Sequence, residues 1–157
     1  MPALRADAKR GDIDVTARAY AEAFLGETAT PFGPVAGLGA DALTVNPYMG
    51  ADTLAPLLEV ARPRGRGLFV LVRTSNPGAG DVEDLPTSPD GEPVWARVAR
   101  MVDGLGDPAH PLGDVGAVVG ATRAQTGSPS GDVGRSSTSP APGLEVRTRT
   151  KLSLIHI

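Results

Sequence analysis

The chain has 157 residues, a formal charge of −3, 41% apolar residues and no cysteine. That length can hold one domain with a real core. The missing thiols exclude disulfides, thiolate metal sites and a cysteine nucleophile. With no basic block and only 4% aromatic residues, a nucleic-acid or membrane surface is not expected. No apolar run approaches the ~20 residues that span a bilayer. The first residues, Met1 to Asp7, lack the apolar stretch of a secretory signal. The expectation is a cytoplasmic protein.

In chain order, residues 3–7 read as a short strand that runs into a charged turn. Thr16 to Leu25 reads as a helix, because Ala17, Tyr20, Ala21 and Phe24 recur at helical spacing and Gly26 follows. The Gly- and Pro-rich residues 26–40 read as a loop. Asp41–Val45 is a compact strand stopped by Asn46-Pro47. A helix is expected from Asp52 to Ala61, with Asp52 or Thr53 as cap and Leu54, Leu57 and Leu58 as its buried stripe. Gly67–Val72 is apolar throughout, as in a parallel strand covered on both faces. The loop from Thr74 to Gly91 is long enough to suggest a functional role. Glu92 to Leu105 reads as a helix and Val115–Val119 as a strand. Strand and helix alternate, which argues for a parallel α/β sheet. Periodicity alone leaves half of a (β/α)8 barrel and an open doubly wound sheet both standing.

After Ala121 the pattern changes. Thr122 to Thr150 is mostly Ser, Thr, Pro, Gly and Arg, and no helical or strand period survives. The expected division is 1–121 as the α/β segment and 122–157 as a disordered tail, read as out-of-frame or adapter-derived sequence with a natural disordered tail as the alternative. Its last residues, Lys151 to Ile157, look like a translated sequencing adapter.

The residues suited to chemistry lie near the start. Asp7 and Lys9 are two apart on a strand, so their side chains should leave from one face. Asp12 follows just past the strand end, which is where parallel α/β folds place their sites. By itself, Asp-x-Lys-x-x-Asp is a common surface charge pattern. The two histidines, His110 and His156, cannot form a metal cluster by themselves, and His110 reads as an exposed loop residue.

Asp7-Ala8-Lys9-Arg10-Gly11-Asp12-Ile13, followed by Thr16-Ala17 and Tyr20-Ala21, resembles the third-strand motif of the orotidine 5′-phosphate decarboxylase family, in its bacterial, mycobacterial-type subgroup. Three further segments resemble that subgroup in order and spacing: Asp41–Gly50, Leu71–Ala79 and Val115–Thr122. The resemblance covers about residues 3–122. One departure is Asp14-Val15, where the family more often has small residues such as Gly-Ser.

The resemblance implies part of a (β/α)8 barrel, strands three to six, in an enzyme that works as a homodimer without metal or organic cofactor. It implies conversion of orotidine 5′-monophosphate to uridine 5′-monophosphate and CO2 in pyrimidine synthesis. Lys9 would be the ammonium that meets the carbanion at ring carbon 6 and then protonates it. Asp7 would orient Lys9 and lie against the departing carboxylate. Asp12 would be delivered across the dimer interface, Thr16 would contact the ribose (or cap its helix), and Ser75 would contact the pyrimidine. Ser75-Asn76-Pro77 and Asn46-Pro47 also fit ordinary turns. A further lysine, on the strand before this segment, belongs to the family's network. Two alternatives stand beside this reading. One is a related sugar-phosphate decarboxylase that shares the Asp-x-Lys-x-x-Asp strand end. The other is an inactive truncated fragment, since half a barrel leaves sheet edges open.

Overall fold

The computed structural model describes residues 3–87, 89, 91–109 and 113–120, and the backbone of 155 and 156. Strand β1 (Arg5–Arg10) leads into helix α1 (Asp14–Leu25). A short hairpin follows, β2 (Glu27–Thr28) and β3 (Val35–Ala36). Strand β4 (Ala42–Val45) is followed by a 3-10 turn (Ala51–Leu54) that passes into α2 (Ala55–Ala61). A second 3-10 turn (Arg62–Arg64) precedes β5 (Gly67–Arg73). The short helix α3 (Ala79–Val82) sits in the next connection, before α4 (Val94–Leu105) and β6 (Val115–Val119).

Strands β1, β4, β5 and β6 form one parallel sheet in that spatial order. Spatial order follows chain order, so among the described residues there is no reversal point of the doubly wound kind. Each strand is laid beside the one before it, as in a barrel wall. The core lies between the sheet and the helices. Leu68, Val70 and Val72 alternate toward it from β5, Leu43 and Val45 from β4, and Val115 and Ala117 from β6. They meet Ala21 and Leu25 of α1, Leu57, Leu58, Val60 and Ala61 of α2, and Val102 of α4. Helices α1 and α2 pack closely at Gly26, where a Cβ would stand 2.6 Å from a Val60 methyl.

Several boundaries differ from those read in the sequence. β1 reaches Arg10 because the chain bulges rather than turns at Asp7. α1 starts at Asp14, so Thr16 lies inside its first turn and does not cap it; the cap position is Ile13. Asp52 and Thr53 do not cap α2 either, because a 3-10 turn intervenes and the Thr53 hydroxyl donates to the Gly50 carbonyl. Residues 26–40 are a loop only in part: Thr30 and Gly33 exchange backbone bonds and close a hairpin. The long Thr74–Gly91 connection contains α3.

The division expected at Ala121 and nearly all of the tail lie outside the described residues, as does His110. Ile155–His156 is the exception. It pairs in parallel with Val118–Val119 as a two-residue strand β7. An unpaired strand edge is a template for any extended segment, and β6 would otherwise present one.

Candidate active site

The Asp7-to-Asp12 segment is the most irregular part of the sheet. Ala6 pairs with Leu43 and Arg10 with Val45, so Asp7, Ala8 and Lys9 together stand opposite Thr44. Strict alternation fails across such a bulge. The two side chains nevertheless meet, and the Lys9 ammonium lies 2.8 Å from Asp7 Oδ1. The convergence comes from Lys9 being in the left-handed region, at φ 50°. A left-handed conformation costs a non-glycine residue roughly 1–3 kcal/mol. The ion pair is half-exposed, 47% and 44% by side chain, and an exposed pair returns only about 0–1 kcal/mol. Stability therefore does not account for this geometry.

Other groups fix the bulge. The buried Thr44 hydroxyl accepts from the Lys9 N–H at 3.1 Å and donates to Asp7 Oδ1 at 2.8 Å. The Arg10 guanidinium lies over the Tyr20 ring and donates to the Ala8 carbonyl. Gly11 abuts Asn46, where a Cβ would be 2.9 Å from the Asn46 carbonyl oxygen. The Lys9 and Thr44 hydrogen bonds hold the Asp7 carboxyl below the ordinary carboxylate range. Asp7 is therefore an anion at neutral pH and keeps a cation beside it.

Asp12 follows the strand and accepts the Ile13 N–H. The structure gives no contact between it and the Asp7–Lys9 pair. Thr16 is exposed on the first turn of α1. Ser75 is exposed at the start of the connection after β5, two strands away from Lys9. Its backbone is held closely, since a Cβ on Gly120 would stand 2.7 Å from the Ser75 nitrogen. The connection is braced: Arg73 forms a two-pronged pair with Asp84, and Glu83 takes both the N–H and the hydroxyl of Thr74. All five residues singled out in the sequence lie on or after strand ends of the same edge. Only Asp7 and Lys9 touch. Asn46 forms the expected turn by accepting the Tyr48 N–H. It also lines a cavity of about 290 Å³ together with Tyr48, Leu71, Thr74 and Asn76. Among the described residues there is no group of three or more His, Asp or Glu that could hold a metal ion. Thr44 was missed in the sequence, where it reads as a β-branched residue filling an apolar strand. The only hint was one hydroxyl in a strand that is otherwise apolar.

Comparison with known proteins gives relatives over most of the chain. The chain is 50% identical over 119 residues to orotidine 5′-phosphate decarboxylase of Rhodopirellula baltica, covering 74% of this chain and 38% of that one. It is 42% identical over 151 residues to the enzyme of that name from Streptomyces coelicolor, covering 96% and 51%. A solved structure from Streptomyces avermitilis, described as an orotidine 5′-phosphate decarboxylase, superimposes with a TM-score of 0.62 at 45% identity, covering 76% and 39%. The chain thus spans about half, or less, of the relatives it matches. The family match itself runs over residues 4–144, past the boundary set at Ala121. This chain belongs to the orotidine 5′-phosphate decarboxylase / HUMPS family.

Proposed function

We propose that the chain carries the central wall of an orotidine 5′-monophosphate decarboxylase active site, acting in pyrimidine synthesis. The observation that carries this reading is the strained Lys9 held against Asp7 at the strand ends. In the reaction the bond between ring carbon 6 and the carboxyl carbon breaks and CO2 leaves. The electron pair stays on carbon 6, and a proton from the Lys9 ammonium replaces the carboxyl group. A fixed ammonium suits this step, because charge already in place needs no reorganisation as the anion develops. Asp7, held anionic, keeps Lys9 charged and lies where the departing carboxylate would be. Thr16 would contact the ribose and Ser75 the pyrimidine. The Asp7–Lys9 pair is half-exposed in this chain alone, and such a step needs a dry site. The cover would come from the loops after later barrel strands, which commonly hold phosphate, and from a second subunit.

A homodimer fits the apolar residues exposed around the site. Ile13, Val15, Tyr48 and Met49 are all exposed, and Met49 lies beside Gly11. In that dimer Asp12 reaches the partner's site, which accounts for its lack of contact with its own Lys9. No helix among the described residues is long and apolar enough to cross a membrane, and the proposed location is the cytoplasm.

The test is turnover of orotidine 5′-monophosphate by the full-length enzyme that carries this segment. Lys9→Ala should abolish it, and formation of uridine 5′-monophosphate at the wild-type rate would refute the assignment. A panel including sugar-phosphate acids separates the nucleotide enzyme from its sugar-phosphate relatives. Mixing Lys9→Ala and Asp12→Ala proteins tests the crossing of Asp12. Mixed dimers should regain one intact site, and no regain means that Asp12 acts within its own subunit.

A further inference from the structure

We propose that Thr44 is a positioning residue for Lys9 and Asp7, holding the bulge that brings the two side chains together through one buried hydroxyl. This rests on the decarboxylase reading above and deepens it. Thr44 is fully buried on β4 and stands alone opposite three residues of β1. An ordinary ladder would give the Lys9 N–H a carbonyl partner. Within the bulge it donates to Thr44 Oγ1 instead, at 3.1 Å. A hydroxyl has one proton to give. Two acceptors lie within reach, Asp7 Oδ1 at 2.8 Å and the Ala6 carbonyl at 3.3 Å. The shorter contact is to the charged oxygen, the stronger acceptor. The hydroxyl therefore links the backbone of the lysine to the carboxylate of the aspartate, and that same carboxylate oxygen takes the Lys9 ammonium.

No other β-branched residue of similar size could do this. Valine would fill the same volume but leave the Lys9 N–H without its partner and Asp7 with one hydrogen bond fewer. The left-handed Lys9 backbone would lose its tie to β4, and the carboxylate would lose the second of the two hydrogen bonds that favour its charged form.

The test compares Thr44→Val and Thr44→Ser with the wild type in the full-length enzyme. Thr44→Val should lower kcat about 10- to 100-fold, as expected of small misplacements at a reacting centre, with little change in KM. Its acidic limb should move to higher pH. Thr44→Ser keeps the hydroxyl and should restore most of both. A carbon-13 titration of the Asp7 carboxyl gives a readout independent of turnover: Asp7 should titrate at higher pH in Thr44→Val and near the wild-type position in Thr44→Ser. An unchanged titration, or a kcat that Thr44→Ser fails to restore, overturns the proposal. A wild-type enzyme without decarboxylase activity would refute the reading of function instead, and the Asp7 titration would still decide the role of Thr44. Should Thr44→Val not fold, Thr44→Cys gives the same comparison with a weak donor in place of the hydroxyl.

Discussion

The two ends of the sheet are built on opposite principles. At the end where strands finish, Lys9 and Asp7 are half-exposed, Lys9 is strained, and Asp12, Thr16 and Ser75 reach solvent. At the end where strands begin, arginines are matched to helix ends and to a buried carboxylate, although Asp103 Oδ1 near the end of α4 is buried without a partner. Three arginines of the Arg62-Pro63-Arg64-Gly65-Arg66 turn each serve the end of a different helix. Arg66 donates to the Leu25 carbonyl of α1, Arg64 to Val60 of α2 and Arg62 to Leu105 of α4. Helix C-termini leave carbonyls unpaired and carry partial negative charge, so cationic donors there satisfy both needs. Arg62 also bonds the buried Asp114, which takes the Asp107 N–H as well. The beginning of the sheet is a clamp and its finish is a site. A barrel divides stability and chemistry in this way.

The sharpest break of that contrast is at Lys9. Lys9→Gly removes the ammonium and relieves the left-handed φ in one step. Turnover by the full-length enzyme should fall by at least ~10³-fold. Stability in urea should be unchanged or rise by up to about 1 kcal/mol. A large loss of stability would show that the strain is offset locally and would remove the argument for function drawn from it. The converse break is Asp114→Asn. It weakens the charge-assisted bond between the fully buried Asp114 and the exposed Arg62, so the cost should be about 2–3 kcal/mol. The kcat of the folded enzyme should not move. A fall in kcat at full folding would mean that the two ends are coupled.

The same pair sets a pH dependence. Burial pushes the Asp114 carboxyl up, but the Asp107 N–H and the Arg62 guanidinium outweigh it and hold the group below its ordinary value. A carboxyl depressed in the folded state binds its proton more readily when unfolded. Its contribution is therefore fully present above the unfolded value of ~3.9 and is lost as pH falls through the lower folded value. Urea unfolding from pH 7 to pH 3 should show wild type and Asp114→Asn converging at the acid end. A constant gap between them would place the effect in shape rather than charge.

Much of the sheet was legible in the sequence, because β4, β5 and β6 are runs of β-branched and apolar residues set between Gly and Pro. The site was legible in part. Asp7 and Lys9 were expected to meet by simple alternation. They do meet, but through a bulge whose left-handed residue leaves no mark in composition. Thr44 was hidden for a related reason, since a buried threonine and a buried valine look alike in a strand until the neighbouring backbone is known. The arginine clamp was passed over because basic residues in a Pro-Gly turn read as solvated. The β2–β3 hairpin has only two residues in each strand, too few to show a period, and only its Pro31-Phe32-Gly33-Pro34 tip hinted at a turn.

The smallest effect concerns the departure at Asp14-Val15. Asp14 opens α1 at φ 41°, the second left-handed non-glycine residue among the described ones. The small residues expected here from the family resemblance would have a physical reason, because glycine adopts this conformation without a Cβ penalty. Asp14→Gly should raise stability, though not by the full strain. An acidic side chain in the first helical turn contributes about 0.3–1 kcal/mol through the helix dipole, and glycine gives that up. The net gain should be a few tenths of a kcal/mol and at most about 1. Asp14→Ala loses the dipole term and keeps the strain, so it should be the less stable of the two in urea. Equal stability of the Gly and Ala variants would show that the left-handed turn is not what the sequence departs from. In that case the contrast between a strained site and a relaxed clamp would rest on Lys9 alone.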